Sequence, residues 1–434
     1  MAFAKCFTSF LLVLCVFVPT LVLSDLSITS SNFLEHANKP EVFDWMVGIR
    51  NDLHECPELL YDVFETSERV RQELDNLKIP YKSSVAKTGV IGYVGTMEEP
   101  FVALRADMDG LPIHEMVEWE HKSKIDGKMH ACGHDAHTAM LLGASKILKE
   151  HEKELQGTVL LVFQPAEEGG AGAREVWKTG LLKEVKAIFG LHVAPDVPVG
   201  VVGSRAGDFM AGSGTFEAVI TGEGGHAAQP HMGIDPVVAA ANVIISLQHL
   251  ISREAEPGDP QVVTVAKLEG SDAFNVIPNT VTIGGSFRAF STIRHLRRRI
   301  EEVIVAQAAV SKCNAAVNFF EDVKPLYPAV NNNEKLYDHF KNVATQMLGP
   351  QRVLEAPQVT VSEDFAFYQE ELPGLFFFLG IKNETHGEEP VHSAHFDIAQ
   401  DAFPYGAALH ASLATTYLSD VLGSQGKQYP RDEL

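Results

Sequence analysis

The sequence predicts an α/β protein in which a mostly parallel sheet sandwiched by helices forms a discontinuous domain, with a smaller ferredoxin-like α+β domain inserted into it. Three observations carry that prediction. Over residues 36–203, apolar β-branched runs bounded by glycine and proline alternate with helical periodicity, as strands buried on both faces require. Residues 204–322 hold a complete β-α-β-β-α-β order of their own, that of the ferredoxin-like motif. Over residues 323–422 the first texture resumes. A chain of 434 residues is also too long for one ordinary core.

Taken in order, Val42, Trp45, Met46, Ile49 and Leu53 fall at helical spacing, and residues 66–77 form a second helix. Residues 90–95 and 100–105 are strands, the latter running into a turn that carries Asp107 and Asp109. Ala136, Met140, Ala144, Ile147 and Leu148 make an inward apolar stripe on the next helix. Residues 157–164 (GTVLLVFQ) and 187–193 (AIFGLHV) are buried strands, with a helical segment over 176–182 between them. In the insertion, 214–221, 261–268, 280–289 and 315–321 are strands and 293–312 is a helix. Asp235, an N-cap followed by Pro236 at the first helical position, opens the other helix, which runs through Arg253. A helix over 336–348, a strand over 374–379 and a closing helix over 401–418 complete the first domain.

The ends of the chain speak to location. Residues 1–24 join a single Lys5 to a short apolar core and a small-residue end, the form of a secretory signal peptide, which leaves no membrane insertion once cleaved. An uncleaved anchor is the competing reading, opposed by Pro19 and by the shortness of the run. After a polar tail over 423–434, the last four residues read RDEL, a near-variant of the address bound by the retrieval receptor of the endoplasmic reticulum, so the lumen of that compartment is the expected location. Of five cysteines, Cys6 and Cys15 leave with the signal, and a Cys56–Cys313 bridge is the most that remains if Cys132 binds metal. Asn383-Glu384-Thr385 is a glycosylation sequon. The net charge of −22 disfavours nucleic acid; the one basic run, 294–299, reads as a solvated helix face.

The stretch KMHACGHDAHT, residues 128–138, packs Cys132 and three histidines together just before a helix. Thiolate and imidazole are ligands for borderline-soft metals, and Cys132 and His134 can reach one ion. A histidine-rich loop is the bland alternative. Against it, Asp107/Asp109, Glu167-Glu168 and His192 all fall at or just past the carboxyl ends of buried strands, the edge where open α/β sheets bind ligands. Adjacent glutamates there can divide labour, one holding metal and the other taking a proton from water that the metal has made acidic.

These motifs, ALRADMDGLPI, MHACGHDAHT, FQPAEEGGAGA, IFGLHV, GEGGHAAQPH, FNVIPN, FRAFS and SEDF, run in one order across roughly residues 40–420. Together they resemble the plant auxin–amino acid conjugate hydrolases of the aminoacylase/carboxypeptidase-type metallopeptidase superfamily. The resemblance implies two divalent metal ions, typically Mn2+, held by Cys132, His134, Glu168, His192 and His392, with Glu167 as catalytic base and acid and Asp107 as a supporting acid. It implies that His226, on the inserted lid, steadies the oxyanion or the substrate carboxylate, and that Asn275 and Arg288 bind that carboxylate. A structural histidine and a surface salt bridge are the competing roles for His226 and Arg288. His130 and His137 fall back to supporting roles. Gly110, Val361 and Ala394 depart from the family pattern, and His386 and His395 compete with His392 as the last ligand. The implied reaction releases an amino acid from an N-acyl conjugate, such as the alanine or leucine conjugate of indole-3-acetic acid. Jasmonoyl conjugates, other N-acyl amino acids and a non-catalytic conjugate-binding member are the alternatives. A monomer or a homodimer is compatible with the sequence.

Overall fold

The computed structural model describes residues 30–425; the expected signal peptide and the RDEL terminus lie outside them. Eight strands form the main sheet: β1 (Tyr81–Val85), β2 (Gly89–Gly95), β3 (Phe101–Asp107), β4 (Thr158–Gln164), β5 (Val185–Pro198), β6 (Val202–Ser204), β7 (Val353–Glu355) and β8 (Gly374–Lys382). Their spatial order is β1-β2-β4-β3-β5-β8-β6-β7. The central four, β4, β3, β5 and β8, run parallel, while β1 and β2 form an antiparallel margin.

Alternation along the strands decides which core each side chain joins. Val102, Leu104, Val159 and Leu161 point to one face, where Met46, Met140, Phe340 and Leu409 come from helices Pro40–Glu55, His134–Glu150, Glu334–Leu348 and Phe403–Gln425. Ala103, Leu160 and Val162 point to the other, packing with Val176 of helix Gly172–Lys178, with Phe376 of β8, and with Ala366 and Tyr368 of helix Ala366–Gln369. All seven residues of β4 are buried, as expected for an apolar strand covered on both sides.

The inserted segment builds a four-stranded antiparallel sheet in the order Val262–Glu269, Thr280–Ala289, Gly212–Thr221, Asn314–Asn318. Numbered within the segment and read from the far edge, that is 4-1-3-2. Helices Pro236–His249 and Ile293–Val310 pack a separate core against it through Val243, Leu247, Leu296, Ile300, Ile304 and Phe287. The Asp235 carboxylate accepts from Val237 N–H at 2.8 Å, satisfying a free donor of the first turn.

Several ends differ from the sequence expectation for local reasons. The first helix of the insertion stops at His249 and passes into a π-helical turn, Leu250–Glu254, instead of running on to Arg253. Its second helix stops at Val310 because Lys312 turns left-handed, φ 62°, while Cys313 N–H reaches back to Ala308 O. The last strand stops at Asn318, whose side chain accepts from Phe320 N–H, and Phe320 itself has φ 56°. The helical segment expected over 176–182 is Gly172–Lys178; Gly180, φ 78°, ends it. Cys56, Cys132 and Cys313 are free thiols, so the Cys56–Cys313 bridge is absent. No described helix is long and apolar enough to cross a membrane.

Candidate metal centre

The sheet delivers the candidate groups to one edge. β3 ends on Asp107, β4 on Gln164 just ahead of the loop carrying Glu167 and Glu168, and β5 carries His192. Because β5 continues to Pro198, His192 lies within the strand instead of near its end. Gly133, φ 92°, bends the 128–133 loop into helix His134–Glu150; a Cβ there would lie 2.5 Å from Val193 Cγ2, so the close approach needs glycine.

Cys132 Sγ lies 3.3 Å from His192 Nε2, and Glu168 Oε1 lies 3.1 Å from His392 Nε2. Two groups of donor atoms share the sulfur: Cys132 with His134 and His192, and Cys132 with Glu168 and His392, each group within 4.8 Å. Ligands about 2.0–2.3 Å from one ion stand no more than roughly 4.6 Å apart, so each set can close on a single metal. The tautomer of His192 suits this, because Nδ1 is engaged with Val193 O at 2.8 Å, leaving Nε2 toward the sulfur. Both ring nitrogens of buried His134 lack a hydrogen-bond partner among the described residues; its nearest carboxylates, Asp107 and Asp109, are each 3.6 Å away. Burial alone would lower His134, but Asp107, Asp109 and Glu168 raise it to about 10. A site this rich in carboxylate draws in positive charge, and a divalent cation answers that demand better than a proton.

His137 is committed elsewhere. Its Nε2 accepts from Val193 N–H at 3.0 Å, so Nδ1 carries the proton toward Asp107 Oδ1, 2.6 Å away. His130 is buried with neither nitrogen hydrogen-bonded among the described residues, and burial lowers it to about 3. His386 pairs with Asp397 at 2.7 Å, whereas His392 N–H donates to Ala131 O at 2.7 Å and binds its loop to the cysteine loop. Met116 N–H donates to Ala394 O at 2.8 Å, fixing the loop at the position where the family pattern has proline. Val361 is exposed.

Glu167 is buried beside these donors. Its carboxyl group lies among Glu363 and Asp364, and Asp364 N–H donates to Oε1 at 3.3 Å. Burial, then the charges of Glu363, Glu168 and Asp364, push its pKa well above the usual carboxylate range. The Asp109 carboxylate accepts from the N–H groups of Glu167 at 2.9 Å and Glu168 at 3.2 Å, so it shapes the loop carrying both.

Behind the centre sits a cation that sequence reasoning missed. Arg105 is fully buried and donates to Gln164 at 2.9 Å, Asp107 at 2.7 Å and Asp364 at 2.8 Å, with Glu363 at 2.9 Å. Burial would raise Asp107, but His134, Arg105 and His137 hold it well below the usual range. The signal was present: a charged residue inside an apolar strand must find partners. A second buried set, Arg50–Asp135–His54–Glu115, braces the 128–138 loop from the other side, with His54 2.7 Å from Asp135. Asp135 lies within the 128–138 motif, but Arg50, His54 and Glu115 belong to no motif, and only folding brings them to it.

The structure does not bring the three groups of the inserted domain to this cluster. His226 is exposed, on a two-residue strand paired with Val276–Ile277. Asn275 is exposed, and its carbonyl accepts from Ala227 N–H. Arg288 is half-buried in the strand between Ser213 and Val262. No hydrogen bond or ion pair joins any of them to the metal-ligand cluster among the described residues.

A Cys/His/Glu cluster beside a buried carboxylic acid, at the carboxyl edge of a parallel sheet, defines a metal-dependent hydrolase. Residues 103–416 match the model of peptidase family M20/M25/M40, and the chain belongs to that family. It is 59% identical to IAA-amino acid hydrolase ILR1-like 5 of Arabidopsis thaliana over 95% of this chain and 94% of the relative. It is 56% identical to IAA-amino acid hydrolase ILR1-like 4 of the same plant, over the full length of both. The YXEP protein of Bacillus subtilis, a dinuclear metal-binding peptidase of the M20 family, superposes with a TM-score of 0.76 at 35% identity, over 87% of this chain and 98% of that one.

Proposed function

We propose that this chain hydrolyses the amide bond of indole-3-acetyl–amino acid conjugates, with Glu167 as general base and general acid. The observation that carries the chemistry is the buried carboxyl group of Glu167, next in sequence to Glu168 and within 4.8 Å of the Glu168 and His134 donors. The choice of substrate rests on the names of the two plant relatives. Cys132, His134, Glu168, His192 and His392 would hold two divalent ions, Cys132 being common to both groups. Bound there, such ions polarise a carbonyl and bring the pKa of water down to about 7.

Glu167 takes a proton from water as its oxygen adds to the carbonyl carbon. It then returns that proton to the amine nitrogen as the C–N bond breaks, leaving a carboxylate and a free amino acid. Asp109 holds the backbone of Glu167 and Glu168 in register for this. His226, Asn275 and Arg288 are assigned to the oxyanion and the substrate carboxylate, which requires the inserted domain to close over the cluster as a lid. Manganese is the proposed metal, on the resemblance set out above. The leader over 1–24 and the RDEL terminus support residence in the lumen of the endoplasmic reticulum, through its retrieval receptor.

The test is amino-acid release from a panel of indole-3-acetyl, jasmonoyl and N-acetyl conjugates, with chelator and individual metals added back. Indole-3-acetyl-alanine or -leucine turns over fastest, and manganese restores most activity. Preference for another acyl group would move the substrate assignment, and no release from any conjugate would favour a binding protein.

A further inference from the structure

Tyr327 stands where the chain returns from the inserted domain. Leu326 packs against the core of that domain, whereas Tyr327 belongs to the core on one face of the main sheet. Its backbone pairs both ways with Ser213, at the outgoing crossing: Tyr327 N–H donates to Ser213 O at 2.9 Å and Ser213 N–H to Tyr327 O at 3.0 Å. The two crossings are thus one joint. At Gly212, a Cβ would fall 2.6 Å from Tyr327 O, so no side chain fits between them.

From this joint the Tyr327 side chain reaches the loop that carries Glu167. Its hydroxyl donates to Glu167 O at 2.9 Å and accepts from Ala171 N–H at 2.9 Å, while its ring meets Phe367 edge-on at 5.5 Å. The loop needs such support. Ala166 and Ala171 have φ 59° and 52°, a region that a residue with a Cβ keeps only when its surroundings hold it there. Tyr61 OH to Gly170 O and the Asp109 carboxylate hold other points of the loop, but both belong to the main domain. Among the described residues, Tyr327 alone hydrogen-bonds this loop from the joint with the inserted domain.

We infer that Tyr327 is a positioning residue that couples the attitude of the inserted domain to the placement of the Glu167 carboxyl group. The inference rests on the reading of Glu167 as the base. When the inserted domain turns about the paired crossings, the hydroxyl moves with residues 326–327, and the 167–171 backbone follows it.

Tyr327→Phe removes the hydroxyl and keeps the ring against Phe367. Its kcat for release of alanine from indole-3-acetyl-alanine falls roughly tenfold, the effect of leaving the buried Ala171 N–H unpaired and Glu167 O with only its bond from Gly169 N–H, with KM and metal content unchanged. Amide exchange measured by mass spectrometry speeds up in peptides covering 165–173 and not in the inserted-domain core. A purely structural tyrosine would lower the melting temperature and leave kcat per folded molecule as it was, which would overturn the inference. Unchanged exchange over 165–173 overturns it whatever the kinetics, and so does loss of metal. If the wild-type protein releases nothing from any conjugate while exchange rises as expected, the catalytic reading of Glu167 fails and the support of its loop by Tyr327 stands.

Discussion

Burial and the charges of Glu363, Glu168 and Asp364 push the pKa of Glu167 well above the usual carboxylate range, while Arg105, one layer behind, balances Asp107, Glu363 and Asp364. Replacing Arg105 with Met leaves buried carboxylates without their cation, a loss of roughly 3–5 kcal/mol that a urea denaturation midpoint would register. His410, buried against Phe377 with neither ring nitrogen hydrogen-bonded among the described residues, makes a pH prediction. Burial lowers it to about 3 from an ordinary 6.5, so between those values the unfolded chain binds a proton that the folded chain refuses. Its contribution to stability therefore rises with pH across that window and is lost toward acid. His410→Leu flattens the acid side of a melting-temperature profile without lowering stability at neutral pH; an unchanged slope would remove His410 from the account. At this scale the sequence was legible where residue type and neighbourhood coincide, as in Cys132 with His134. It did not disclose the long-range partners of Arg105, Asp109 and Tyr327: Gln164 and Asp364 lie 59 and 259 positions from Arg105, Glu167 lies 58 from Asp109, and Ala171 and Glu167 lie 156 and 160 from Tyr327.

Elements were legible where the apolar pattern was long, as in the continuous apolar run of β4 or the helical periodicity within 334–348. Their ends were not, since single left-handed residues such as Gly180 and Lys312 set them. Asn333 caps the helix Glu334–Leu348 by accepting from Lys335 N–H at 3.1 Å and Leu336 N–H at 3.2 Å. Asn333→Ala costs about 1 kcal/mol, read as a shift in denaturation midpoint with unchanged slope. Gly172 is a stricter case: a Cβ there would lie 1.7 Å from Pro165 O, at the start of the loop carrying Glu167. Gly172→Ala displaces that loop, so metal retention and amino-acid release fall together in a purified folded variant. Full activity would show that the loop tolerates the shift.

At the scale of the whole molecule, the insertion of one α+β unit into an open parallel sheet was legible because the β-α-β-β-α-β order is complete within it. Where that unit sits was not, because hinge residues carry no periodicity. His226, Asn275 and Arg288 therefore stand apart from the cluster, and their proposed roles require closure about the crossings at Ser213 and Tyr327. The central claim is narrower: Glu167 moves the proton, and Cys132, His134, Glu168, His192 and His392 hold the metal. It is tested most directly by measuring bound metal and alanine release from indole-3-acetyl-alanine for the wild type and Glu167→Gln side by side. The account predicts equal metal content with turnover lowered by about a thousandfold or more. Undiminished release by Glu167→Gln with its metal in place would contradict it.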